Sequence, residues 1–466
     1  MKKSILTTIF PYLLIFYSFG QNELPTIISK DTTITKANSP YIISSSSTIS
    51  AGATMKIEAG VTIKFGNDAM LYVSGSLIVQ GTENDSVYFI SAVTGNQWGN
   101  IENNNSNDIE IYYTKTSGNL MFVFGYGGKN IVIRHCNIES TARGYGEDCI
   151  AVEGGKKVVV EYVTLKGAGG KIANGIKNDA IDLDDCDSCF IGHNYIYNFS
   201  DDAVDIGTHT RYAYIHDNIL HNTNYGVTVG ESSLAYVFNN ISYHNDGGFQ
   251  VHDTAIIYCE NNTLYANTVG VECFHSEEGL VKQTGGTAIM KNTIFLQSAD
   301  TDLYTQTSSR FDITYSSSDK NLLPGNNNFK ADPMLIDPEN GNFNLKNGSP
   351  CINAGIDTTG NKIDIGAIGL PVIPINPTTS IKNINKKDQV FVFPNPSDNF
   401  IRVILNQQNN NNCIAMLFDI TGNEILKKEV DSNNNIIDIH FFPSGIYFVK
   451  ITSNNYNFEV IKLVKK

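Results

Sequence analysis

Apolar and polar positions alternate in short runs along the middle of this chain, and the runs recur. Ile150, Ile181, Val204, Val227, Phe249 and Val271 form one apolar column, and Val152, Leu183, Ile206, Val229, Val251 and Cys273 form a second. Between them lies Ala151, Asp182, Asp205, Thr228, Gln250 and Glu272. Period-two alternation predicts a strand with its flanking positions inward and its middle position outward. Steps of 24, 22, 22 and 30 residues lead from Ile191 to Ile215, Val237, Cys259 and Ile289. The same steps lead from Asn194 to Asn218, Asn240, Asn262 and Asn292, and from Ile196 to Leu220, Ser242, Leu264 and Ile294.

A period near 22–24 residues with Gly, Asn and Asp turns predicts a β-solenoid, each coil burying its apolar columns only against its neighbours. The Asn column predicts a ladder of side-chain amides bonded to the next coil's backbone, at corners where Asn tolerates left-handed geometry. A leucine-rich repeat lacks its Leu pattern here. A β-propeller would need longer repeats, and the one tryptophan is Trp98.

Residues 48–91, 129–309 and 332–369 resemble the opening, central and closing segments of right-handed parallel β-helix proteins. The resemblance implies an all-β chain with such a helix over 21–370. It does not choose an activity, because lyases, glycosidases and adhesins share the fold.

Residues 1–20 read as an export signal: Lys2 and Lys3, an apolar run from Ile5 to Phe19 broken by Pro11, then small residues. The alternative is a retained anchor. No other segment could span a bilayer, so the mature chain is expected to be exported without a transmembrane segment, and monomeric. Residues 371–388 are rich in Pro, Thr and Asn and read as a linker. Beyond them, 389–466 carries short alternating strands that predict a small β-sandwich. Phe393-Pro394-Asn395-Pro396, Asp419-Ile420-Thr421-Gly422-Asn423, Pro443 to Lys450 and Lys462 to Lys465 resemble the C-terminal sorting domain of the type IX secretion system. That resemblance implies handling by type IX machinery and delivery to the outer-membrane surface or beyond. A carbohydrate-binding sandwich is the alternative.

The chain has 33 Lys+Arg against 47 Asp+Glu, a net charge of −14, which argues against nucleic acid and anionic membranes as partners. Of eight cysteines, Cys259 and Cys273 fall in inward columns and read as small buried hydrophobes. Cys136 lies near the Asn-ladder position. Cys186 and Cys189 form C-x-x-C between coils, open to a local disulfide or a metal.

Candidate chemistry concentrates where Asp179-Ala180-Ile181-Asp182 returns as Asp202-Ala203-Val204-Asp205, 23 residues on. Stacked strands lie ~4.8 Å apart, so these carboxylates repel by roughly 1 kcal/mol in water and ~3 at an effective dielectric near 20. Four readings follow. Asp179, Asp182, Asp202 and Asp205 could hold Ca²⁺, whose ligands are hard oxygens, or form a solvated acidic face. Asp179, Asp201 and Asp202 resemble the catalytic carboxylates of polygalacturonases, implying inverting glycoside hydrolysis. Yet that family's next-coil His-Gly is Tyr225-Gly226 here, and its Arg-x-Lys clamp is missing. A polysaccharide lyase would need a base, from Arg211 or from Lys156, Lys157, Lys166, Lys171 and Lys177. Finally, Tyr197, His221, Tyr243, Tyr265 and Phe295 could form an outward aromatic ladder that stacks on sugars or only on itself. The expectation is an exported β-helix that binds or processes polysaccharide, with Ca²⁺ as a stabilising ion; a non-catalytic adhesive or structural helix is the alternative.

Overall fold

A computed structural model describes residues 22–141, 146–169, 177–275, 284–306, 308–357, 360–367, 369–370, 390–393, 400–405, 413–419, 423–430, 436–453 and 456–465. The expected export signal (1–20), the linker (371–388) and Lys171 lie outside these residues. Two compact units are present, one built on residues up to Pro338 with Phe343–Gly355 and Asp364–Leu370, the other including the C-terminal strands. No helix among the described residues is long and apolar enough to cross a membrane.

The first unit is a right-handed β-solenoid of ~12 turns. Its three parallel sheets have 14, 12 and 12 strands; each strand pairs with those three before and after it in sequence, except that Phe329–Lys330 adds directly to Ser317–Ser318 at the end of the first sheet. Every coil therefore gives one strand to each sheet. The outward column predicted for the second sheet holds throughout: Ala151 pairs with Asp182, then Asp205, Thr228, Gln250 and Glu272 follow in register. Both flanking columns, from Ile150 to Cys273, are at most 2% exposed. Burying one such Val, Ile or Leu stabilises by about 1.5–3 kcal/mol, and only stacked coils can supply that burial.

The Asn ladder forms at the corner between the third and first sheets. Backbone N–H groups of Asn194, Asn218 and Asn240 donate to the side-chain oxygens of Asn218, Asn240 and Asn262 at 3.0, 3.0 and 2.9 Å. The amides of Asn194, Asn218, Asn240 and Asn262 in turn donate to the carbonyls of Val160, Ile191, Ile215 and Val237. The left-handed residue is the one before each ladder Asn: His193, Asp217, Asn239 and Asn261 have φ of 54–57°. Cys136 and Val163 occupy the ladder column in earlier coils as apolar members. A second ladder, not anticipated, joins Thr223, Asn245 and Asn267.

The last expected step is off by one. Cys259 pairs with Met290 rather than Ile289, and Leu264 with Phe295 rather than Ile294. Thr293, not Asn292, therefore follows Asn262, and Asn292 takes the left-handed position at φ 53°. Phe295 turns into the core and Leu296 follows Tyr265. Either register places an apolar residue inside, so apolar pattern alone does not select between them.

All eight cysteines are buried free thiols. The C-x-x-C is no disulfide: Cys186 bonds the Val152 carbonyl at 3.4 Å, and Cys189 faces the core. Burial pushes the Cys136 and Cys273 thiols up to about 12.

In the second unit, a three-stranded sheet (Val390–Phe393, Phe400–Leu405, Ile436–Asp438) and a four-stranded sheet (Glu424–Val430, Cys413–Phe418, Gly445–Ser453, Tyr456–Lys465) are antiparallel. Val392, Ile401 and Ile437 from one and Ala415, Leu417, Val449 and Leu463 from the other share one core.

Candidate functional site

Carboxylates form a third ladder where the chain enters the second sheet. Asp148 accepts the backbone N–H of Asp179 at 2.7 Å, Asp179 that of Asp202 at 2.6 Å, and Asp202 that of Tyr225 at 2.8 Å. This repeats the backbone-bonding job of the Asn ladder. A carboxylate has no N–H to return to the neighbouring coil, however, and it brings charge. The Thr228 hydroxyl donates to the other Asp202 oxygen at 2.5 Å. Asp201, on the same corner, accepts from the Asn224 amide at 2.8 Å and lies 3.6 Å from Lys177 Nζ.

Two triplets result, each with one oxygen per residue and all within 4.8 Å: Asp148, Asp179 and Asp182, and Asp179, Asp201 and Asp202. Asp179 belongs to both. The expected catalytic trio of Asp179, Asp201 and Asp202 is thus brought together. The expected metal quartet is divided: Asp179 and Asp182 meet Asp148, Asp179 and Asp202 meet Asp201, and Asp205 stands in register with Asp182 outside both triplets. Asp148 was not anticipated. The 31-residue step from Ile150 to Ile181 also carries Asp148 to Asp179, and that signal was present in the sequence.

Burial and mutual repulsion raise the proton affinity of Asp148, Asp179, Asp182, Asp202 and Asp205. Asp148 is pushed up to about 6 by burial and Asp201, against the pull of the Asp179 N–H. Asp202 rises to about 7 through burial and Asp201, with Thr228 and Tyr225 opposing. Asp182 rises to about 8 through burial and Asp184. Asp179 and Asp205 are held well above the carboxylate range by burial and by Asp202.

Of the basic residues considered as a lyase base, Lys156 pairs with Asp187 and Lys166 with Glu139, while Lys177 faces Asp201. Tyr225 lies over Gly247, where a Cβ would stand 2.0 Å from its ring, and its hydroxyl donates to Glu272.

Tyr197, His221, Tyr243 and Tyr265 follow one another in register. Tyr197 stacks on His221 at 5.4 Å and His221 on Tyr243 at 4.7 Å. They do not form an open sugar-binding surface along their length. Tyr243 and Tyr265 are buried, with Phe343 packed on them at 5.0 and 5.9 Å between ring centres. Burial lowers His221 to about 4, so it is neutral at neutral pH. A second aromatic column, not among the sequence expectations, runs on the third sheet: Phe190, Tyr214, Tyr236 and Tyr258 stack at 5.2–5.3 Å. They obey the same steps of 24, 22 and 22 residues.

Comparison with known proteins places residues 148–309, which include every acidic rung, under the family description "Right handed beta helix region". Residues 391–466 match "Secretion system C-terminal sorting domain". Among solved structures the chain is similar to an alginate lyase from Paenibacillus sp. str. FPU-7, at 13% identity over 60% of this chain and 92% of that one, with a TM-score of 0.29. It is also similar to a mutant of the PL6 family alginate lyase AlyGC, at 11% identity over 75% of this chain and 58% of that one, with a TM-score of 0.28. No curated protein matches. The chain thus carries a right-handed β-helix region at 148–309 and a type IX secretion C-terminal sorting domain at 391–466.

Proposed function

We propose that this exported protein engages polysaccharide along its β-helix and that the acidic rungs take up Ca²⁺ there. The sorting domain implies export to the cell surface or the extracellular space. The observation that carries the cation reading is the pair of oxygen triplets sharing Asp179. Ca²⁺ takes six to eight hard oxygens in flexible geometry, and the ladder bonds hold several carboxylates in place for it. The ion would offset the repulsion among them. It would also let an acidic face meet a carboxylated glycan that the face alone would repel.

Glycoside hydrolysis is the second reading, favoured by the grouping of Asp179, Asp201 and Asp202. Asp202 would act as the acid and Asp201, facing Lys177, as the base. Both oxygens of Asp202 already accept bonds, from Tyr225 N–H and Thr228, and this ranks hydrolysis below cation binding.

Retention and cleavage of neutral and uronic-acid-containing glycans, each with Ca²⁺ or chelator, test both readings. The cation reading expects Ca²⁺-dependent retention that Asp179→Asn removes. Retention indifferent to chelator and to that substitution overturns it. Hydrolysis expects product release that Asp202→Asn abolishes.

A further inference from the structure

A separate group of side chains sits at the corner between the third and first sheets. His216 closes the strand Ala213–His216, and Asp217 follows it in left-handed conformation at φ 54°. His193, one coil earlier, occupies the same left-handed column at φ 57°. The three side chains are 12%, 3% and 4% exposed for His193, His216 and Asp217. One ligand atom from each lies within 4.8 Å of the other two. His216 Nδ1 stands 2.9 Å and His193 Nε2 3.9 Å from Asp217 Oδ2.

We infer that His193, His216 and Asp217 form a binding site for a first-row transition metal, Zn²⁺ above all, distinct from the acidic rungs. Two imidazoles and one carboxylate are a borderline-soft donor set that suits Zn²⁺ rather than Ca²⁺. Ligand atoms ~2.0–2.1 Å from a tetrahedral zinc stand about 3.3 Å from each other. The two separations from Asp217 Oδ2 straddle that value, and small side-chain movements would bring all three ligand atoms to one ion. The surroundings already orient them. The Asn239 amide donates to Asp217 Oδ1 at 2.5 Å, an outer-shell bond that leaves Oδ2 toward the histidines. His193 stacks on Tyr162 at 4.5 Å and His216 on Phe238 at 5.0 Å. Gly192 admits the His216 ring: a Cβ there would lie 2.5 Å from Cε1.

Chelator-treated full-length chain, titrated with Co²⁺ and then with Zn²⁺ against a chromophoric chelator, tests the site. The expected result is one equivalent of Co²⁺ with visible bands of low-symmetry, nitrogen-containing coordination, displaced by Zn²⁺. His193→Gln is expected to weaken Zn²⁺ by more than about 100-fold, and Asn239→Ala by the roughly 10–100-fold of an outer-shell change. His193 is chosen because His216 is buried and its loss could unfold the corner. Asp217→Asn gives a second arm, since Asn holds the left-handed position in the next coils at Asn239 and Asn261. Asp179→Asn is expected to leave the Co²⁺ spectrum unchanged, which separates this site from the acidic rungs. A wild-type chain that binds neither metal, or a spectrum and affinity that survive both His193→Gln and Asp217→Asn, overturns the inference.

Discussion

Asp202→Asn separates the ladder role of Asp202 from its charge. Asparagine keeps an oxygen for the Tyr225 N–H, as Asn218, Asn240 and Asn262 do in their own ladder. Its amide can also donate to the Thr228 hydroxyl, which now donates to Asp202. The charge, by contrast, is lost. Asp202 is 5% exposed and its carboxyl is pushed from 3.8 to about 7. The folded chain therefore binds this proton more tightly than the unfolded chain. Stability from this group is present below the unfolded value and is lost as pH rises to about 7. At about 1.4 kcal/mol per pH unit the ceiling is about 4 kcal/mol. Sharing of charge with Asp179 and Asp201 lowers this, and ~1–3 kcal/mol is expected. Urea unfolding of chelator-treated protein at pH 4.5 and pH 8 is the assay. The substitution should be nearly neutral at the lower pH and stabilising at the higher one. Equal destabilisation at both, or wild-type stability that does not fall across the window, would refute the reasoning.

Three further outcomes are expected. With Ca²⁺ at 100 times its dissociation constant, wild-type stability should rise by about 2.7 kcal/mol, and Asp179→Asn should lose most of that gain in a thermal shift; no shift in the wild type counts against the cation site. Asn218→Ala strips partners from the buried Asn194 N–H and Ile191 carbonyl, and at ~1–3 kcal/mol per orphaned group denaturant unfolding should show a loss of ~3–5 kcal/mol. Gly247→Ala forces the Tyr225 ring off its seat and breaks its bond to Glu272; overpacking of this kind is worth ~1–3 kcal/mol, and tyrosine fluorescence should report the moved ring.

Much of the fold was legible because burial writes itself into alternation. Ile181 and Leu183 face in and Asp182 faces out for the same reason that Val204, Ile206 and Asp205 do, so two rungs could be aligned without coordinates. The Asn ladder was legible for a related reason. A buried amide that satisfies two coils recurs at the coil period, as Asn194, Asn218, Asn240 and Asn262 do. Ile289 and Met290 are equally apolar, and only the pairing of Cys259 with Met290 fixes the register. Asp148 shares the alignment of Ile150 with Ile181, but it stands outside the doubled motif, 31 residues before Asp179 rather than 23.

The sequence by itself determined that the carboxylates of 179–182 and 202–205 stack on successive rungs, and that a distinct domain follows the helix. Both are properties of local pattern, repeated. Tertiary structure alone decided that Phe343 closes over Tyr243 and Tyr265, and that His193, His216 and Asp217 face one another at a corner. The physical reason is directional. Hydrophobic burial selects inside from outside and recurs with the strand, whereas the direction side chains take at a corner and the path of a segment folding back over a sheet leave no period in the chain.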